Sequence, residues 1–423
     1  MTGSPSGKWV AMTTPEALGA DIMSRTDDLA ALSESPDSLT RRYLTPEHRQ
    51  ANDLVGQRMR DAGMTVRQDA VGNIIGRYEG VSEGLPAIII GSHLDTVVMA
   101  GKFDGMLGVV TGIACVGELS RRGHRLPFAV EVIGFADEEG VRFQSTYLGS
   151  RAVTGRFEQT LLARRDADGV SLAEAMTAFG LDPVRVGEAA RQARDVLAYL
   201  ELHIEPGPVL ESQDLPVGVV TSIAGATRLV VTLAGEASHA GTVPMGMRRD
   251  ALAVAAECIL AVERVCAESP NLVGTVGQIT AEPGASNVIP GCVRFTVYLC
   301  AAEDSHRASA LGEHMVLFEN AANRRGVAIE IEKVHEAASV PCDAKLSDII
   351  AGAIERNGWR VQRLPSGAGH DAAAVADLAP VGMIFVRCEG GISHNPAENI
   401  TAADAEAGAQ VLFQVLSDFP GIP

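Results

Sequence analysis

The chain has 423 residues, with 35 Lys and Arg against 53 Asp and Glu and a formal net charge of −18. So acidic a chain lacks the basic face that nucleic acid requires for counterion release, and aromatics at 4% leave little material for a stacking surface. Hydrophobic residues at 46% and charged residues at 21% are the proportions of a folded protein with a packed core, sized for two or three domains.

Taken in order, residues 1–14 are polar, with Pro5 and Gly7, and lack the apolar segment of a secretion signal. Thr45 to Ala62 carries apolar positions at helical spacing after a Thr-Pro start, and Ala70 to Arg77 reads as a short strand. Leu85 to Gly91 is an apolar run ending at Ser92-His93, the pattern of a buried strand with a polar carboxyl end. A helix from about Met106 to Arg121 follows. Pro127 to Phe135 ends at Asp137-Glu138-Glu139, and Leu197 to Ile204 ends at His203 and Glu205 in the same manner. Strand, acidic or histidine-bearing tip, then helix is the order of an α/β domain with a central open sheet flanked by helices and a site beyond the strand carboxyl ends.

From Ile223 to Glu336 the order becomes strand (227–233), helix (249–267), strand (274–281), strand (293–300), helix (305–324), strand (328–335), a ferredoxin-like α+β insertion. The expected domains are 1–222 and 337–423 for the two parts of the catalytic domain and 223–336 for the insert. A helix at 345–356, a strand at 381–386 and a helix at 402–417 close the chain. No window approaches ~18 uninterrupted apolar residues, so no membrane span is expected. The seven cysteines form no C-x-x-C pair and read as the reduced thiols of a cytoplasmic protein.

The polar residues cluster where strands end: His93 and Asp95 in GSHLDT, Asp104 in GKFDG, Glu138 and Glu139 in ADEEG, His203 in ELHIE and His394 in GISHNP. Any one of these has a plain structural reading. A lone histidine at a strand end is ordinarily a satisfied surface or core residue, Glu-Glu before Gly a solvated turn, and Asp95 and Asp104 cap turns or helices elsewhere. Five such motifs, all closing apolar strands or their following loops, point instead to a divalent metal site of imidazoles and carboxylates. Two ions sharing one carboxylate would polarise a substrate atom, and adjacent Glu138 and Glu139 could divide ligation from proton transfer.

The ordered set GSHLDTV, GKFDG, ADEEGVRF, ELHIEPGPVLE, GEASHAGTVPM, GASNVIPG, SGAGHDA and GISHNPAE resembles the M20-type amidohydrolases of the hydantoinase/carbamoylase group, over nearly the whole chain after about Asp21. The resemblance implies two divalent ions per subunit (Mn, Zn, Ni or Co, with Mn favoured), a small-molecule substrate, and an insert serving as lid and dimerisation domain of a homodimer. It implies Asp104 as bridging ligand, His93 and His203 on one ion, and Glu139 and His394 on the other. Glu138 would be the general base, with Asp95 orienting His93. His239 of SHAGT would stabilise developing negative charge at the partner subunit's site, although Ser238-His239-Ala240-Gly241 also suits a plain tight turn. Gly369 lets backbone approach a ligand, while His370 is read as structural.

The chain departs from that group where an α-carboxylate is held. Pro206 stands where Gln is usual, and the strand after Asn287-Val288-Ile289-Pro290 ends on Cys300 where Arg is usual. Tyr298-Leu299 precede it where Asp is preferred, and Arg387-Cys388 replace Pro-Ser. Losing the arginine removes charge-assisted bonds worth roughly 1.5–3 kcal/mol each. Asn287, Cys300, Gly369 and Arg387, with His239, are therefore the expected substrate contacts. The leading expectation is hydrolytic deamination of an aromatic amine, such as 5-nitroanthranilate to 5-nitrosalicylate, as in a described offshoot of this group. The alternatives are an N-carbamoyl-L-amino-acid or allantoate amidohydrolase, a metallopeptidase of the wider clan, and a non-catalytic ligand-binding relative.

Overall fold

The computed structural model describes residues 17–420; the polar stretch 1–14, where no secretion signal is expected, lies outside the described residues. Helix α1 (Leu18–Ala30) is followed by α2 (Pro46–Asp61), which starts where Thr45 accepts the His48 N–H and Pro46 presets the first turn. Strands β1 (Thr65–Gln68) and β2 (Ile74–Tyr78) form a hairpin. The strand expected from Ala70 begins four residues late, because the Asp69 carboxylate accepts the N–H of Val71 and of Asn73 and closes a turn there. Next come β3 (Ala87–His93), α3 (Met106–Arg121), β4 (Ala129–Phe135), α4 (Leu148–Val153), α5 (Leu172–Ala178), β5 (Val196–Ile204), α6 (Val209–Ser212) and β6 (Val217–Ile223).

The insert supplies β7 (Gly225–Ala234), β8 (Ser238–His239), α7 (Ala251–Glu268), β9 (Leu272–Thr275), β10 (Ile279–Glu282), β11 (Val288–Ile289), β12 (Cys292–Ala301), α8 (Asp304–Arg324) and β13 (Ala328–Ala337). The chain closes with β14 (Val340–Pro341), α9 (Ala344–Arg356), β15 (Arg363–Ser366), α10 (Asp371–Val375), β16 (Val381–Val386) and α11 (Ala402–Asp418), the last begun by a capping box between Thr401 and Asp404.

Among the described residues the larger sheet has nine strands in the order β1-β2-β4-β3-β5-β16-β6-β14, with β15 also pairing β6. Strands β4, β3, β5 and β16 are mutually parallel, so their carboxyl ends share one edge. Every residue of β3 and β4 is buried, as expected of parallel strands covered on both faces. Ile88, Ile90, Val130 and Val132 pack against Val109, Val110 and Ile113 of α3 and Val411 and Leu412 of α11. Each such fully buried aliphatic contributes roughly 1.5–3 kcal/mol, which makes this layer the rigid base from which the strand ends project. None of the described helices is long and apolar enough to cross a membrane.

The chain divides into two compact units. The first holds the described residues up to Thr221, Cys342–Leu364, and those from His370 onward; the second holds Ser222–Pro341 with Pro365–Gly369. In the second, an antiparallel sheet β10-β12-β7-β13 buries Leu229, Val231, Val293 and Phe295 against Val254, Cys258 and Val262 of α7 and Phe318 of α8. The single strand expected at 274–281 is two strands, β9 and β10, both paired to β12. Thr275 faces Tyr298 and Ile279 faces Phe295, so residues 276–278 oppose only two residues of β12; this one-residue excess is a bulge that breaks the ladder.

Candidate metal centre

The parallel strands deliver their polar tips to one place. His93 is the last residue of β3 and His203 the penultimate residue of β5, Glu138 and Glu139 lie in the turn after β4, and Asp104 immediately precedes the Gly105 cap of α3. His394 comes from the loop between β16 and α11, in a left-handed backbone conformation (φ 55°).

Asp104 is the common partner. Its Oδ1 stands 3.2 Å from His203 Nε2 and 3.7 Å from His93 Nε2, and its Oδ2 stands 3.1 Å from His394 Nε2, which is itself 3.3 Å from Glu139 Oε1. One oxygen thus faces the His93/His203 side and the other the Glu139/His394 side. The donor atoms of His93, Asp104 and His203 lie within 4.8 Å of one another, as do those of Asp104, Glu139 and His394, and of His93, Glu138 and Glu139.

These residues fit a divalent cation. Two ligand atoms each about 2.1 Å from one ion stand roughly 3.0–3.4 Å apart, close to the spacings above. The imidazoles are also held in the tautomer that ligation needs. His93 Nδ1 is 2.9 Å from the Asp95 carbonyl oxygen and His203 Nδ1 is 3.1 Å from that of Ile204. Each Nδ1 therefore donates to backbone, leaving the Nε2 lone pair directed toward Asp104. Gly105 makes room for this: a Cβ there would lie 2.5 Å from His93 Nδ1, Cε1 and Nε2.

Asp95 works differently from expectation. Its carboxylate is 3.8 Å from His93 Nδ1 and accepts the N–H of Glu138 at 3.0 Å and of Glu139 at 3.2 Å. The backbone carbonyl of Asp95 orients His93, and its side chain orients the Glu138–Glu139 turn.

The field of this cluster is strong. Burial, then the charges of Glu139, Asp371 and Asp95, push the Glu138 carboxyl well above the ordinary range against the opposing effect of His93. Burial would also raise Asp104, but hydrogen bonds with His203, His394 and His93 hold it well below the usual value. Hydrogen bonds with Asp104 and then Glu139 push the half-exposed His394 up to about 10. Three imidazoles around one carboxylate are a set in which cation and protons compete for the same lone pairs.

His370, read as structural, is brought to the centre. It is buried, at the N-cap of α10, and its ring stands edge-on to that of His203 with centroids 4.5 Å apart. Burial, followed by the charge of His203, lowers its pKa well below the usual value.

Three residues escaped the sequence reading. Glu201 is fully buried, accepting Ser92 Oγ–H at 3.1 Å and Ala372 N–H at 2.9 Å; Tyr199 Oη is 3.0 Å from it. The two-residue period of a strand puts Tyr199, Glu201 and His203 on one face, so ELHIE held that signal. Asp137 is buried beside Asp95, and burial followed by the Asp95 charge raises its pKa well above the usual value. Glu398, the last residue of GISHNPAE, accepts the N–H of Phe103 and Asp104.

In the second unit, β8 and β11 form a two-stranded ribbon in which Val288 faces His239, and Ala240 N–H donates to Asn287 O at 2.9 Å. His239 is exposed and its Nδ1 accepts Gly241 N–H at 3.0 Å, so a neutral ring carries its proton on Nε2. Cys300 is buried, its Sγ 3.6 Å from Gly367 O in the segment that includes Gly369. Arg387 belongs to the first unit, where Nε and Nη2 bond Asp404 and Nη1 bonds Asp214 at 2.9 Å. Its guanidinium is therefore neutralised by two carboxylates of its own chain, against its expected part as a substrate contact.

The sequence profile of peptidase family M20/M25/M40 matches residues 89–418, a span that contains every residue of the Asp104 cluster. An N-carbamoyl-L-amino acid amidohydrolase of Geobacillus stearothermophilus is 42% identical over 399 residues, 94% of this chain and 98% of that protein. Allantoate deiminase 1 of Glycine max is 39% identical over 435 residues, 96% of this chain and 90% of that protein. A crystal structure of an amidase of the hydantoinase/carbamoylase family from Burkholderia multivorans has a TM-score of 0.90 at 32% identity, covering 96% of this chain and 98% of that one. With the imidazole and carboxylate set gathered around Asp104, these likenesses make the chain a member of peptidase family M20/M25/M40, in its hydantoinase/carbamoylase group: a metal-dependent amidohydrolase acting on non-peptide C–N bonds.

Proposed function

We propose that the chain hydrolyses the C–N bond of a carbamoyl or ureido group in a small molecule, with release of ammonia, using two divalent ions per subunit, manganese by preference and zinc, nickel or cobalt by compatible chemistry. The observation that carries the two-ion reading is the division of the Asp104 carboxylate, with Oδ1 toward His93 and His203 and Oδ2 toward His394 and Glu139. The substrate class follows the relatives named for N-carbamoyl-L-amino acids and allantoate.

Bound there, the cations would supply Lewis acidity toward the scissile carbonyl and toward a water. Glu138, buried at the edge of the cluster, would take a proton from the attacking water and return it to the departing nitrogen. Asp95 holds both backbone N–H groups of the Glu138–Glu139 turn, so the base and its neighbour keep a fixed separation. His239 carries its ring proton on Nε2, the polarity with which it would stabilise negative charge on a substrate oxygen at the partner subunit's site. A homodimer joined through the insert, in the cytoplasm, completes the reading; the seven cysteines, none in a disulfide, suit a reducing compartment.

A second reading, deamination of an aromatic amine such as 5-nitroanthranilate, rests on two features: position 300 is a buried cysteine and Arg387 is already paired, so neither offers a free guanidinium to the α-carboxylate of a carbamoyl amino acid. The manganese-loaded protein should be offered N-carbamoyl-L-amino acids, allantoate, 5-nitroanthranilate and a dipeptide, with ammonia as readout for the first three and released amino acid as readout for the dipeptide. Turnover of a ureido compound is expected; ammonia from 5-nitroanthranilate alone would put the second reading first, and turnover of the dipeptide alone would overturn both. Cys300→Arg is expected to lower KM for the carboxylate-bearing carbamoyl substrates.

A further inference from the structure

A buried carboxylate that is no member of the ligand cluster ties the Asp104 segment to the His394 loop. Glu398 is 3% exposed, and its Oε1 accepts the N–H of Phe103 at 2.8 Å and of Asp104 at 3.0 Å. The same residue follows His394 by four positions, and its N–H closes a turn onto Asn395 O at 3.0 Å. One oxygen thus fixes the backbone of Asp104, while the short chain from Glu398 leads back to His394. Glu398 Oε2 has no hydrogen-bond partner among the described residues, so the polar contacts are concentrated on Oε1. Gly101, which opens GKFDG, is shaped to this arrangement: a Cβ there would collide with Glu398 Cβ, Cδ and Oε1.

We propose that Glu398 is a positioning residue that sets the spacing of Asp104 and His394, with Gly101 as the gap that admits it. The inference rests on the reading of Asp104 as a shared metal ligand. It explains why the metal motifs GKFDG and GISHNPAE each carry a residue, Gly101 and Glu398, that touches no other donor of the cluster.

The test is titration of the metal-free full chain with Co2+, read by visible absorption and by competition with a chelator, with thermal unfolding of the metal-free protein alongside. Glu398→Ala is expected to weaken Co2+ binding by roughly 10–100-fold. Glu398→Gln should remain within about 3-fold of wild type, because the amide oxygen can accept both N–H groups. Gly101→Ala should weaken binding as Glu398→Ala does, and the double variant should be no worse than either, the non-additivity of a shared contact. Binding by Glu398→Ala equal to wild type overturns the proposal, as does equal damage from Gln and Ala. Should Glu398→Ala not fold, the other two decide: Gln intact with Gly101→Ala weakened supports it, and both equal to wild type overturns it. A wild-type chain that takes up no Co2+ would instead overturn the metal reading of Asp104 itself.

Discussion

Gly105→Ala is the substitution whose cost can best be worked from the structure. Gly105 has φ +73° and ψ −55°, outside the left-handed helical region, a strained conformation that costs a residue with a Cβ roughly 1–3 kcal/mol. The new methyl would also lie 2.5 Å from three atoms of the His93 ring. Carbon contacts are comfortable from about 3.5 Å, so the ring must retreat by about 1 Å. His93 Nε2 already stands 3.7 Å from Asp104 Oδ1, and a ligand displaced that far no longer shares an ion at about 2.1 Å. The expected result is a loss of about 1–3 kcal/mol in the stability of the metal-free chain together with metal affinity lowered at least ~10-fold. Gly123→Ala separates the two effects: its φ is +63°, yet a Cβ there meets nothing within 4 Å. It should lose similar stability and bind Mn2+ normally. Chemical denaturation and Mn2+ titration of both variants make the comparison. Equal Mn2+ affinity in the two would refute the claim that the bare Gly105 backbone is what seats His93.

Three further outcomes are expected. Glu138→Gln should lower kcat by at least ~100-fold while metal content stays near normal; full activity would remove Glu138 from its role as base. Arg387→Gln should leave KM within about 2-fold, because its guanidinium is held by Asp404 and Asp214, and should destabilise the chain by about 1–3 kcal/mol as buried Asp404 loses its partner; a large rise in KM at unchanged stability would return Arg387 to the substrate. In the metal-free chain His394 titrates at about 10, above its unfolded value, so its interactions stabilise the fold below about 6.5 and are lost as pH rises through about 10. Metal must displace that proton, so Mn2+ affinity should rise from pH 7 to 10, with heats of binding that depend on the buffer; heats independent of the buffer would contradict this.

The parts of the fold that were readable were those where burial writes a simple pattern. β3 and β4 are buried along their whole length, β3 as an apolar run up to Ser92-His93 and β4 as one interrupted only by Glu131, and α3 and α11 are almost wholly apolar on the faces they bury. Helix α1 was not foreseen; it offers no side-chain cap, its preceding residue Ala17 adopting a left-handed conformation instead. The bulge between β9 and β10 depends on register against β12, which only pairing reveals. At the site, the residues gathered around Asp104 were each marked by a short motif at or after a strand end. The long-range contacts that support them were not: Glu398 reaches Asp104 across 294 positions and Glu201 meets Ala372 across 171. His370 was set aside because nothing in GAGHDA announces that its ring will lie against His203.

The central claim is that the Asp104 carboxylate is divided between two cations, and the metal-to-protein ratio tests it most directly. The metal-free chain and its Asp104→Ala variant, each saturated with Mn2+ and freed of unbound metal by gel filtration, would be analysed by elemental mass spectrometry. The account predicts about two Mn2+ per chain in the wild type, and a fall to one or none in Asp104→Ala with the fold retained by circular dichroism. An equal Mn2+ content in the two proteins would contradict it.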